Sequence, residues 1–160
     1  MPEQIVTVEN LNSTGANGQV TFDVEYTTAN PETNQVSGLI LRLHYDSSRL
    51  DITTGNKDQV VTNILNTDFL GVIGGPNTET PQEDDGVDAT DQFLQLTWSN
   101  SQQQWPNEQL PVTLFSVQAD TTGQFDGTTI AFTAGQDGTQ FDQNNNFFDF
   151  QETEVEIPND

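Results

Sequence analysis

Apolar and polar side chains alternate one by one along several stretches of this chain. In residues 20–26, Val20, Phe22, Val24 and Tyr26 fall on one face and Thr21, Asp23 and Glu25 on the other, the period of a half-buried strand. Residues 39–45 repeat the pattern, with Leu39, Leu41, Leu43 and Tyr45 inward and Ile40, Arg42 and His44 on the opposite face. Similar runs predict strands at 5–8, 60–65, 93–99, 112–119, 128–134 and 153–157. Between them stand turn formers, including Gly15-Ala-Asn-Gly18, Asn30-Pro31, Gly74-Gly-Pro76, Asp126-Gly127 and Asp137-Gly138. Helical periodicity is thin: Val60, Val61, Ile64 and Leu65 fit a turn or two of helix as well as a strand, and are read as strand with a short turn. This spacing predicts an all-β, antiparallel sandwich of about nine strands in one domain spanning residues 1–160. The alternating apolar residues, Trp98 among them, are its expected core.

Composition sharpens this reading. The chain has 160 residues, 25 Asp plus Glu, three cations (Arg42, Arg49, Lys57), one His and no Cys. A chain of this length buries roughly 70% of the surface its unfolded form exposes, so a core forms without staples. The formal charge of −22 repels phosphate backbones and anionic lipid, which argues against nucleic acid and membrane-surface partners and in favour of cations. No stretch approaches the roughly 18 apolar residues of a membrane span. Met1-Pro2-Glu3-Gln4 lacks the basic and apolar regions of a secretory signal, which leaves open a leader upstream of this segment. Polar positions are filled by Thr, Asn and Gln rather than Lys, a composition common in secreted and surface proteins.

Three segments together resemble a known family. In residues 36–50, Gly38 leads an alternating strand that ends in Tyr45-Asp46 and is followed by Leu50; Asp46 is placed to accept a bond from the amide two residues on and turn the chain. The second segment is Leu96-Thr-Trp-Ser99 with Gln104-Trp-Pro-Asn107 and Leu110-Pro-Val-Thr-Leu-Phe115, and the third is residues 125–134, read as a hairpin. These resemble the cohesin-like modules of large bacterial surface proteins, cyanobacterial ones included. The resemblance implies a jelly-roll sandwich, shared by cohesins and several carbohydrate-binding modules, and a non-catalytic extracellular or cell-surface role in protein–protein interaction or adhesion. It does not carry over a dockerin-binding surface, because no short motif for one is present.

The candidate chemistry lies in two oxygen-rich connections. Between Ile73 and Phe93 are six carboxylates, Glu79, Glu83, Asp84, Asp85, Asp88 and Asp91, with no cation among them. Calcium takes six to eight oxygens, and Gly86 lets such a loop fold several of them around one ion. Glu83, Asp84, Asp85, Asp88 and Asp91 are therefore the expected calcium ligands; the alternative is a solvated acidic loop. Asp142, Asn144 and Asn146 match the first three ligand spacings of an EF-hand loop, but Phe147 stands where the turn Gly belongs and Thr153 where the bidentate Glu belongs. They read as a degenerate second calcium loop or as turn residues alone.

Catalysis is not expected. His44 sits mid-strand, Gly-x-Ser-x-Gly is absent, and a carboxylate pair drawn from 25 acids carries no information. Trp105 is the one strong candidate for an exposed ring that could stack on a sugar, which keeps a carbohydrate-binding module as a second reading. A dockerin receptor using a broad strand face is a third, and edge strands offer a route to self-association.

Overall fold

The computed structural model describes residues 2–65, 72–81, 84–135 and 140–160. The larger sheet runs through β12 (Gln140–Phe141), β13 (Phe147–Phe150), β1 (Glu3–Ser13), β2 (Gln19–Thr28), β10 (Val112–Thr121) and β5 (Leu50–Asp51), with β6 (Val61–Thr62) also paired to β10. The smaller sheet is ordered β14 (Thr153–Ile157), β11 (Thr128–Ala134), β4 (Gly38–Tyr45), β8 (Gln92–Ser99) and β7 (Val72–Thr78). A short ribbon joins β3 (Gln35–Val36) to β9 (Trp105–Pro106). Among the described residues nine strands have four or more residues, as expected, and five are two-residue pieces. Pairing is antiparallel except for β1 and β13, which run parallel with Glu3 opposite Asp149. Among the described residues no helix is long and apolar enough to cross a membrane.

The alternation does what it predicts. Val20, Phe22, Val24 and Tyr26 of β2 and Leu39, Leu41, Leu43 and Tyr45 of β4 are buried in one core with Leu94, Leu96 and Trp98 of β8. Each such side chain contributes about 1.5–3 kcal/mol when fully buried. Gly38 opens β4 at φ +138°, opposite Ser99, where a Cβ would stand 2.0 Å from the Trp98 carbonyl oxygen; no other residue fits there. At the far end of β4, Asp46 Oδ1 accepts the Ser48 amide at 2.9 Å, and Leu50 returns to the core, as its spacing implies.

Four expectations change. Residues 60–65 are not one strand: a single helical turn (Lys57–Val60) runs into the two-residue β6. Residues 125–134 are not a hairpin; a turn at 122–125 leads into one strand, β11, flanked by β4 and β14. Gly74-Gly-Pro76 is no turn between strands but the bulge of edge strand β7, where register with β8 shifts between Gly74 and Asn77 and Gly75 sits at φ +102°. An edge tolerates this because Pro has no hydrogen to donate and Gly reaches positive φ freely. Residues 66–71, beyond the expected 60–65 strand, and the expected turn at Asp137-Gly138 lie outside the described residues.

Trp105 is the fourth. It is not an exposed platform: it is 0% exposed, with its ring 4.8 Å from that of Tyr26 and 5.5 Å from that of Trp98. The β3–β9 ribbon carries it inward, and a ring enclosed on these sides has no face for a sugar. Trp105→Ala should therefore destabilise the fold by about 3–5 kcal/mol in urea unfolding, the cost of emptying a large aromatic site. A change under about 0.5 kcal/mol, usual for an exposed position, would return the ring to the surface.

Candidate functional site

The smaller sheet is not open on its outer side throughout. Phe93 (1% exposed), Ala131 (2%) and His44 (0%) are buried yet point away from the core, since their strand neighbours Leu43, Leu94 and Ile130 point into it. What covers them is the connection between β7 and β8. Its ends are stitched down by Glu79 N to Asp91 O and by Asp91 N to Tyr45 O, both at 3.0 Å.

Under this cover His44 has partners at both ring nitrogens. Nδ1 lies 2.6 Å from Glu79 Oε2 and 3.8 Å from Asp85 Oδ2, and Nε2 lies 2.8 Å from Thr133 Oγ1 on the neighbouring strand. Because Nδ1 faces carboxylates, a hydrogen occupies the Nδ1–Oε2 line. Thr90 bridges the carboxylates, its hydroxyl 3.0 Å from Glu79 Oε2 and 2.7 Å from Asp85 Oδ2. Phe93 packs on the imidazole with ring centroids 5.4 Å apart, and Arg42 lies over the other ring neighbourhood, its guanidinium carbon 5.0 Å from the Phe93 centroid. Burial pushes the Glu79 carboxyl above its ordinary range; bonds from His44 and Thr90 oppose this, and the Asp85 charge adds to it.

Of the expected calcium ligands, the described Asp84, Asp85, Asp88 and Asp91 do not converge on one point. Asp84 Oδ1 accepts the Gly86 amide at 2.8 Å and Asp85 Oδ1 the Val87 amide at 2.9 Å, each closing a turn of its own loop. Asp91 faces the other way and binds Ser47 through the amide at 2.8 Å and the hydroxyl at 2.5 Å. Asp88 is exposed, and Glu83 lies outside the described residues. The second loop is the turn of the β12–β13 hairpin: Asp142 Oδ1 accepts the amides of Asn144 at 2.8 Å and Asn146 at 3.0 Å, while Oδ2 accepts from the Asn146 side chain. Desolvation raises the Asp142 carboxyl, but these donors outweigh it and hold it below the ordinary range. Among the described residues, the one group of three or more His, Asp or Glu side chains with converging ligand atoms is His44, Glu79 and Asp85. Sequence reasoning had Asp85, left Glu79 out of the expected ligands and placed His44 mid-strand without a role in the site. The missed signal was the lone imidazole on the polar face of a strand in a chain of 25 acids.

Thr133, His44 and Glu79 also stand in the hydroxyl, imidazole, carboxylate order of a catalytic triad. With His44 at 0% and Thr133 at 8% exposure, little of this relay meets solvent. The arrangement holds a connection against a sheet.

This architecture is a cohesin-like β-sandwich. No protein-family model matches the chain, and no curated protein matches it. Solved structures do. A chain of a type I cohesin–dockerin complex from Clostridium thermocellum is 11% identical, with a TM-score of 0.58 over 97% of this chain and 99% of that one. The sixth cohesin of Acetivibrio cellulolyticus scaffoldin B, in complex with a dockerin, is 10% identical, with 0.57 over 98% of both chains. A type II cohesin domain from the cellulosome of Acetivibrio cellulolyticus is 16% identical, with 0.52 over 97% and 95%. These likenesses establish the fold.

Two expectations follow from the buried cluster and the dispersed rim. A carboxyl whose pKa is raised on folding favours the protonated folded form, so its contribution is full below the unfolded value and is lost as pH rises through the folded one. Glu79→Gln mimics the protonated form, and melting curves should show the variant gaining on the native protein as pH climbs from about 4 towards 7. A pH-independent gap between the two would refute the burial argument. For the rim, calcium and magnesium at matched ionic strength should raise Tm equally, because screening does not distinguish them. A rise specific to calcium would mean that the carboxylates rearrange into a cage.

Proposed function

We propose that the chain is a non-catalytic, extracellular protein-binding module of cohesin type, which receives a small partner module on the outer face of its smaller sheet. The observation that carries this is the whole-chain correspondence with cohesins, which span 97–98% of its length in two cohesin–dockerin complexes. The little-exposed Thr133–His44–Glu79 relay supports the absence of catalysis.

Charge favours one face over the other. The outer side of β1, β2 and β10 presents Glu9, Asp23, Glu25 and Asp120, which repel one another and any acidic partner. The outer side of β4 and β8, beyond the covered end, presents Ile40, Gln95 and Thr97 together with Arg42, whose Nε donates to Gln95 Oε1 at 3.0 Å, a half-buried patch without acids of the kind that forms interface centres. Self-association through strand edges is less favoured. Edge strand β7 carries a bulge and Pro76, and β14 carries Glu154 and Glu156, all devices that blunt an edge. A carbohydrate reading loses its ring with the burial of Trp105.

Biolayer interferometry against a panel of dockerin modules tests the proposal. Ile40→Asp and Thr97→Asp should each weaken capture at least tenfold, about 1.4 kcal/mol, by placing charge at the interface centre. Asp23→Asn and Glu25→Gln on the opposite sheet should leave affinity within about twofold. Absence of binding to every dockerin, or loss confined to the β1–β2 face, would overturn it.

A further inference from the structure

The cluster beneath the 79–91 connection gathers two carboxylates and an imidazole out of water. The Thr90 hydroxyl lies 2.7 Å from Asp85 Oδ2 and 3.0 Å from Glu79 Oε2, and the Thr90 amide donates to Val87 O at 3.3 Å. The hydrogen on His44 Nδ1 is committed to Glu79 by the 2.6 Å contact, and at 3.8 Å Asp85 is out of its reach. Solvent barely reaches these groups: the side chains of His44 and Asp85 are 0% exposed and that of Glu79 9%. Two carboxylates against one imidazole leave a buried negative excess, and a buried charge without a partner costs several kcal/mol. The excess of carboxylate over imidazole and the convergence of the three ligand atoms both favour a cation in the cluster.

We propose that His44 Nδ1, Glu79 Oε2 and Asp85 Oδ2 form a binding site for a divalent transition-metal ion of the zinc class. The three atoms already lie within 4.8 Å of one another. One nitrogen and two carboxylate oxygens are a zinc-type donor set, whereas calcium needs six to eight oxygens and gains little from imidazole. Tetrahedral ligands stand roughly 3.3 Å apart for bonds of about 2.0–2.1 Å, so the Glu79 carboxylate swings away from Nδ1 by less than about 1 Å, within the reach of its side chain. The ion enters and the hydrogen between Nδ1 and Oε2 leaves to solvent. Nε2 keeps its hydrogen and donates it to Thr133, the outer bond that orients most metal-bound imidazoles. The fourth position falls to the Thr90 hydroxyl or a water. Such an ion joins β4, the exit of β7 and the covering connection through one centre, which is separate from the proposed partner face at Ile40 and Thr97.

The test is titration of metal-stripped protein with Co²⁺ and Zn²⁺. Cobalt should give the intense visible absorption of a four-coordinate site at one equivalent, zinc should displace it, and millimolar calcium should not. Asp85→Asn and His44→Gln should each lower zinc affinity at least tenfold in calorimetry, and Thr133→Val about tenfold through the outer bond. The surface variant Glu156→Gln should bind as the native protein does. Circular dichroism checks that each variant folds, and Asp85→Asn, which keeps the shape of the loop, decides the matter if His44→Gln does not fold. Weak octahedral cobalt spectra, no saturation near one equivalent, or equal zinc affinity in native protein and Asp85→Asn would each overturn the site, leaving ions spread over exposed acids.

Discussion

The rest of the structure depends on one strand being buried on both faces. β4 gives Leu39, Leu41, Leu43 and Tyr45 to the core and His44 to the opposite side, where it is equally out of water. A polar ring in that position must be satisfied by protein, because an unpaired buried group costs about 1–3 kcal/mol. Thr133 of β11 meets one nitrogen, and Glu79, at the exit of β7, meets the other. The path of the 79–91 connection follows from this requirement. To bring Glu79 and Asp85 over His44, the chain must fold back across the sheet end, and Phe93 and Ala131 become buried beneath it.

How far the sequence discloses this depends on the range of the interactions. β2 and the core face of β4 are legible because alternation is local, and the Asp46 turn because its bond spans two residues. β7 is not, since its Gly-Gly-Pro reads as a turn until the neighbouring strand shows it to be a bulge. Trp105 fails for a related reason: it lies in a polar run with Gln102, Gln103 and Gln104, and only the pairing of Val36 with Trp105 turns it inward. The site is the hardest case. His44 and Glu79 are 35 residues apart and His44 and Thr133 89 apart, so no local pattern announces either bond. Five carboxylates in one connection suggested a common centre, yet three of them are drawn to separate donors: Asp84 and Asp85 to loop amides, Asp91 to Ser47.

The charge of the chain is handled in the same local way. With three cations against 25 acids, ion pairing cannot neutralise the surface, and backbone amides and hydroxyls take up much of the work. Asp23 is bonded by Asn10 and Ser116, and its carboxyl is held below the ordinary range by those two donors. Arg49 is spent at the opposite end, binding the Gln124 carbonyl and the Asp126 carboxylate beside Asp46. The fold tolerates the charge because acids sit on outer faces and turns, where water screens them, and the exception is the covered cluster.

Relay order alone does not make that exception a reactive site. A hydroxyl, an imidazole and a carboxylate in relay order are often taken as a sign of chemistry, but reactivity needs a reacting atom within about 3 Å of the nucleophile and a route by which it arrives. Here the sheet closes one side of the relay and the connection closes the other. What remains is the mechanical consequence of the bonds: the connection is tied to β4 through Glu79 and His44, and His44 in turn to β11 through Thr133.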